Sequence, residues 1–273
     1  MNPVSETIYN DETYPYPRIC SHRGWSKALP ENTLPAYGAA IALGADEIEF
    51  DLYATKDGVL VSCHSYDVEA ISDGKGYIHE LTYEELLKYD FGVKFGEQFR
   101  GLKIVKFEEI LQRFGNRVIM NIHVKIWDLF WTLKFSDDKM DEIIALIKKY
   151  KCEKSVYFMA CPAVFLQQVK SRCPEIACAV GHYNERMWES VERAVEAGVE
   201  KMQQFEDYVN QEVIDRAHTN GIKVNVFLNK SDTAENAKRF LDMGVDCILT
   251  DNFIEIKNAF EVWKKSKSST EVI

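Results

Sequence analysis

The sequence predicts an α/β fold, a single (β/α)8 barrel with a hairpin on its second strand. Three observations predict it. Short apolar runs alternate with helix-period segments along most of the chain, the rhythm of parallel strands joined by crossover helices. The chain has 273 residues, long for one domain but ordinary for this barrel, which runs to about 250. No internal repeat or low-complexity linker divides it.

The elements follow in order. Met1 to Pro17 is polar and reads as an N-terminal extension. Residues 18–264 read as the barrel and 265–273 as a C-terminal tail. The first strand is Ile19–His22. Helix Leu34–Leu43 follows, capped by Asn32 or Thr33, with Pro35 tolerated in its first turn. The second strand is Glu47–Leu52. Only Thr55-Lys56-Asp57-Gly58 then separates it from the apolar run Val59–Cys63. A parallel crossover needs about a dozen residues, and Asp-Gly is a hairpin signal. The run therefore turns back antiparallel above the barrel mouth, and its register brings His64 opposite Glu49 or Phe50. Strands Val118–Val124, Ser155–Met159, Ile176–Val180, Val199–Gln203, Lys223–Phe227 and Cys247–Thr250 complete the eight. Helices Phe107–Phe114, Asp141–Tyr150, Val164–Arg172, Glu185–Ala197, Gln211–Thr219, Ala234–Met243 and Phe253–Lys264 lie between and after them. Gly198, Gly221 and Gly244 suit helix stops. The run from Lys264 to Ser269 reads as a frayed end.

Composition narrows the function classes. The formal net charge of -10 argues against nucleic acid or an anionic membrane as main partner, since both select clustered Lys and Arg. It permits a small phosphorylated substrate, because a bound cation supplies local positive charge. No stretch reaches the roughly 18 apolar residues of a spanning helix, and the start of the chain lacks the pattern of a signal peptide. The seven cysteines are scattered without a C-x-x-C pair, so free thiols in a reducing, cytoplasmic compartment are expected. Oligomeric state is not legible.

In such a barrel the active site lies at the C-terminal ends of the strands. The first strand ends in His22-Arg23-Gly24. The second carries Glu49 and Asp51 on one face. The hairpin returns His64. Strand Val118–Val124 directs Asn121, His123 and the adjoining Lys125 to one side, and the last strand ends at Thr250-Asp251. Two carboxylates inside a barrel mouth repel each other unless a cation neutralises them. A metal held by carboxylates suits phosphate oxygens. Arg23 offers a forked donor to phosphate and Lys125 a point charge. His22 and His64 have the chemistry for proton transfer near neutral pH.

These residues sit in a recognisable pattern. His22-Arg23-Gly24, Pro30-Glu31-Asn32-Thr33, Gly44-Ala45-Asp46 with Glu49-Phe50-Asp51, Thr55-Lys56-Asp57-Gly58 and His64 closely resemble the N-terminal motifs of glycerophosphodiester phosphodiesterases. The similarity continues through Asp73-Gly74-Lys75-Gly76, Phe107-Glu108-Glu109-Ile110-Leu111 and Gly244 to Asp251, covering about residues 18 to 253, and it implies a TIM barrel with a small insertion after the second-strand hairpin, at about 65–100. The resemblance implies metal-dependent hydrolysis of glycerophosphodiesters to an alcohol and glycerol 3-phosphate, an activity of lipid metabolism. It implies that His22 and His64 are general base and acid, in an order it leaves open. A hydroxyl of the glycerol then attacks phosphorus, and water opens the cyclic phosphate. Glu49 and Asp51 would bind one divalent metal, magnesium or calcium, while Arg23 and Lys125 hold the phosphate and Phe227 lines the substrate pocket.

Departures qualify that picture. The third metal ligand of the pattern is a Glu, whereas this chain has His123, which would ligate in its place and favour manganese or another transition metal. Ser65 stands where an Asp usually follows the second histidine, Ala70 where an Arg is common in the insertion, and Asn229 carries a displaced polar group. The same chemistry on a lysophospholipid or sugar phosphodiester, or a barrel that only binds phosphorylated ligands, are the alternatives. His79, His182 and His218 read as ordinary loop or helix residues. Glu31, Asn32 and Thr33 read as a cap and brace for Arg23, and Asp251 as a structural closure of the mouth. Phe205, Trp25 and Trp127 are further candidates for the pocket wall.

Overall fold

A computed structural model describes residues 9–125, 137–160, 162–181 and 186–270. Eight parallel strands form the barrel: β1 (Arg18–Ser21), β2 (Glu47–Ala54), β5 (Ile119–Val124), β6 (Val156–Ala160), β7 (Ala177–Val180), β8 (Lys201–Phe205), β9 (Lys223–Phe227) and β10 (Cys247–Thr250). Each pairs with its neighbour, and β1 pairs with both β10 and β2, which closes the ring. The helices are α1 (Leu34–Ala42), α2 (Tyr83–Leu86), α3 (Phe107–Phe114), α4 (Asp137–Lys149), α5 (Ala163–Arg172), α6 (Ser190–Ala197), α7 (Gln211–Thr219), α8 (Ala234–Met243) and α9 (Phe253–Thr270).

Strand alternation sorts the side chains. Ile48, Phe50 and Leu52 of β2, Met120, Ile122 and Val124 of β5, and Val224 and Val226 of β9 join the main apolar core with the helices. Glu47, Glu49 and Asp51 occupy the other face of β2, as do Asn121 and His123 on β5. Inside the ring these polar groups share the space with Cys20, Tyr157, Met159, Cys247 and Leu249, and most of them find hydrogen-bond partners there.

The hairpin forms as its length dictates. β3 (Leu60–Ser62) pairs antiparallel with β2, Leu52 opposite Ser62, so the register carried onward sets His64 across from Phe50. The excursion goes further than the sequence indicates, because β4 (Val105–Lys106) adds a third antiparallel strand on β3. Between them the insertion builds its own small core from Tyr53, Val61, Cys63, Val68, Ile78, Leu86, Phe91 and Ile104. Thr33 caps α1 and accepts from the Ala36 amide. The basic run from Lys264, expected to fray, instead continues α9 to Thr270. His182 and Trp127 lie outside the described residues.

The closed lower end of the barrel has an unexpected occupant. The stretch before β1 folds beneath the ring, and Asp11 accepts from Arg18 at 2.6 Å and from Lys201 at 2.8 Å. Arg18 also reaches Glu47 at 3.0 Å, and Tyr157 donates to Glu47 at 2.7 Å. Two cations thus meet two carboxylates in a nearly solvent-free layer.

Candidate active site

At the upper end the turn after β1 sets the geometry. Arg23 adopts φ 55° and Gly24 φ 77°, a left-handed turn that is costly for a side-chain residue. A Cβ on Gly24 would lie 2.7 Å from the Ala36 carbonyl carbon, so only glycine fits against α1. The turn aims the Arg23 amide at Glu49 Oε2, 3.1 Å away. Its guanidinium donates to Glu31 at 2.8 Å and lies 3.5 Å from Asp51.

Glu49 and Asp51 are almost fully buried. Asp51 receives Lys125 Nζ at 2.9 Å and Asn32 Nδ2 at 3.0 Å. Asn32 in turn accepts the Asp51 amide at 3.2 Å, so this side chain grips Asp51 from both ends. His123 Nδ1 lies 3.4 Å from Asp51 Oδ1 and 3.1 Å from Lys125 Nζ. Ligand atoms of Glu49, Asp51 and His123 all fall within 4.8 Å of one another, a group that can hold a metal ion.

Electrostatics follow from burial. Loss of water, then the Asp51 charge, raises the Glu49 carboxyl above the ordinary range. Burial pushes Asp51 the same way, but Lys125, the His123 hydrogen bond and further positive charge hold it well below. Desolvation pushes His64 down to about 3 and His123, with Lys125 adding to it, down to about 4. Both imidazoles are therefore neutral at physiological pH.

His22 Nδ1 lies 2.7 Å from Asp251 Oδ1, and its Nε2 3.8 Å from Glu49. Its ring packs on Phe227 with centroids 4.5 Å apart, and Phe227 packs on Phe205. His22, Arg23, Glu49, Asp51, His64, His123, Lys125, Phe205 and Phe227 line one cavity of about 60 Å³. Every residue singled out for catalysis, phosphate or metal is thus in one place. Trp25 packs against the main core and not in this cavity. His79 stacks on Tyr77 in the insertion, and His218 bonds Asp246. Asp251, read mainly as a closure of the mouth, meets a ring nitrogen of His22. Asn32, read from its Pro-Glu-Asn-Thr motif as a cap and brace for Arg23, instead grips Asp51, while Gln203 and Met159 in the wall carried no recognisable signal.

A polar cavity at the C-terminal ends of the strands is where enzymes of this fold carry their active sites. Comparison with known proteins makes the class specific. The family model described as "Glycerophosphoryl diester phosphodiesterase family" matches residues 22–255. A glycerophosphodiester phosphodiesterase of Caldanaerobacter subterraneus subsp. tengcongensis is 32% identical over 235 residues, 86% of this chain and 93% of the relative. Among solved structures, a glycerophosphodiester phosphodiesterase from Agrobacterium tumefaciens superposes with TM-score 0.73 at 21% identity, covering 88% of this chain and 99% of that one. An Oleispira antarctica phosphodiesterase, in complex with its product sn-glycerol-3-phosphate, superposes with TM-score 0.79 at 20% identity, covering 90% and 97%. The chain belongs to the glycerophosphoryl diester phosphodiesterase family and is a phosphoric diester hydrolase.

Proposed function

We propose that this protein hydrolyses glycerophosphodiesters with His22 as general base and His64 as general acid, and that the observation carrying the assignment is the 2.7 Å contact between His22 Nδ1 and Asp251. A carboxylate on one imidazole nitrogen fixes tautomer and orientation and stabilises the cation that forms when the other nitrogen takes a proton. In this reading His22 removes the proton from a glycerol hydroxyl as its oxygen attacks phosphorus. The bond to the departing alcohol breaks, and His64 protonates that oxygen. Burial keeps His64 neutral in the free protein; a phosphate anion beside the ring raises its proton affinity. Water then opens the cyclic phosphate with the two roles reversed, leaving glycerol 3-phosphate. Arg23 and Lys125 bind the phosphate oxygens, and Phe227 packs against the glycerol.

The residues present fit a divalent cation. Two buried carboxylates and a neutral imidazole within 4.8 Å make a mixed oxygen and nitrogen donor set. When bound, the ion supplies positive charge to phosphate oxygens. Glu49, Asp51 and His123 would hold it, and the imidazole favours manganese or another transition metal over calcium or magnesium. A cytoplasmic protein turning over water-soluble diesters of lipid metabolism is consistent with six buried free cysteines among the described residues. No helix among them is long and apolar enough to cross a membrane. We read one barrel domain from residue 18, bearing the insertion, with α9 carrying it past Lys264 to Thr270.

The test uses two leaving groups. A glycerol phosphodiester of 4-nitrophenol leaves without protonation, whereas one of ethanol does not. His64→Ala should lose about 10²–10⁴-fold on the ethyl ester and recover most of it on the nitrophenyl ester, while His22→Ala loses on both. Recovery by His22→Ala instead would reverse the roles, and recovery by neither would remove them.

A further inference from the structure

A second cavity adjoins the first across His64. It holds about 220 Å³, against about 60 Å³ for the catalytic mouth, and lies between the insertion and the barrel rim. Ile71, Phe91, Phe95 and Ile104 give it an apolar wall, and Lys94 and Lys103 bring ammonium groups. Both lysines are anchored on backbone carbonyls, Lys94 on Glu69 and Lys103 on Tyr89. The carboxylate in the lining, Glu31, is engaged by Arg23 at 2.8 Å. Ala70 borders the cavity, at the position where the family resemblance expects an arginine.

We propose that this cleft is the subsite for the departing alcohol, and that it selects an apolar alcohol without positive charge over choline or ethanolamine. The inference rests on the reading of His64 as general acid, because the alcohol oxygen must then face His64 and its carbon chain must leave along the cavity that shares this residue. A long side chain at position 70 would take up space, whereas Ala70 presents only a methyl to a cleft of about 220 Å³. Its charge follows from the lysines, which repel a quaternary ammonium, with no unengaged carboxylate in the lining to offset them. Its apolar wall gains from each methylene buried.

The test compares glycerol phosphodiesters of methanol, hexanol and choline on the metal-loaded full chain. Wild type should favour the hexyl over the choline ester by about tenfold or more in kcat/KM, since a single methylene in an apolar pocket is worth about tenfold. Ala70→Trp fills the cleft without adding charge, and should lower the hexyl ester by about tenfold while leaving the methyl ester within about twofold. Phe95→Ala, at a partly exposed side chain, should erode the same preference from the opposite wall. A wild-type preference for choline, or equal loss on methyl and hexyl esters in Ala70→Trp, overturns the proposal. If instead the nitrophenyl test reverses the histidines while Ala70→Trp still selects by alcohol size, the subsite stands and only the role of His64 falls.

Discussion

Asp251 is a residue whose place at the mouth was visible in the sequence but whose partner was not. Thr250-Asp251 ends a strand, and an acid there serves equally as a loop cap. Its contact with His22 depends on closure between β1 and β10, elements separated by most of the chain. His22, Glu49, Asp51, His64, His123 and Lys125 were legible because each lies in a local motif or strand whose period fixes its face. As a positioning residue, Asp251 gives a specific expectation. Asp251→Asn should lower kcat by roughly 10²-fold with KM nearly unchanged, because orientation of a base matters in the transition state and not in substrate binding. Its side chain is 52% exposed, so the melting temperature should stay close to wild type. A rise in KM with kcat intact would assign it to substrate binding.

The proposed metal ligands make a second prediction at this scale, with a pH dependence. The Glu49 carboxyl is raised by burial and by Asp51, so without metal its protonated fraction grows as pH falls from neutral. A cation needs the carboxylate and must displace that proton. Affinity should therefore weaken as pH falls, and calorimetry in buffers of different ionisation enthalpy should detect proton release on binding. His123, already neutral, adds nothing to that release above about pH 5. His123→Glu should move the preference from manganese towards calcium. Unchanged relative affinities would show that His123 is not a ligand.

At the scale of elements, the β1–α1 turn and the β2–β3 hairpin carry the mouth. The hairpin was legible because four residues cannot make a crossover, a constraint of chain length alone. β4 was not, because a two-residue strand has no periodicity to read; it exists only because β3 offers an edge. Helix bounds were clear where caps are strong, as for α7 and α8, and unclear at the C-terminus, where α9 continues through lysines and serines with no breaker. Gly24 links the turn to function. Gly24→Ala places a methyl against the α1 backbone at φ 77°, which should cost about 1–3 kcal/mol. It should also tilt His22 and Arg23, so residual activity should fall further than denaturant midpoints indicate. A fully active, equally stable variant would contradict this account of the turn.

Over the whole molecule the barrel separates function from stability along its axis. The upper end gathers Arg23, Glu49, Asp51, His123 and Lys125 at the mouth, and the lower end buries Arg18 and Lys201 against Asp11 and Glu47. The latter layer depends on the segment that the sequence offered only as an extension, since a lone Asp among polar residues gives no sign of the cations it meets. Asp11→Ala leaves those cations short of a partner and should destabilise by about 3–5 kcal/mol. The remaining folded enzyme should keep its kcat, because Asp11 lies at the opposite end from the mouth. Loss of kcat without loss of stability would break that division.

The central claim is that two histidines at the mouth move the protons. The most direct measurement is the turnover of a glycerophosphodiester by wild type, His22→Ala and His64→Ala at saturating metal, with melting temperature and metal affinity recorded for each. The account predicts losses of about 10²–10⁴-fold in kcat for both variants, with fold and metal binding retained. Turnover within about twofold of wild type in either variant would contradict it, since a general acid or base is worth far more than that.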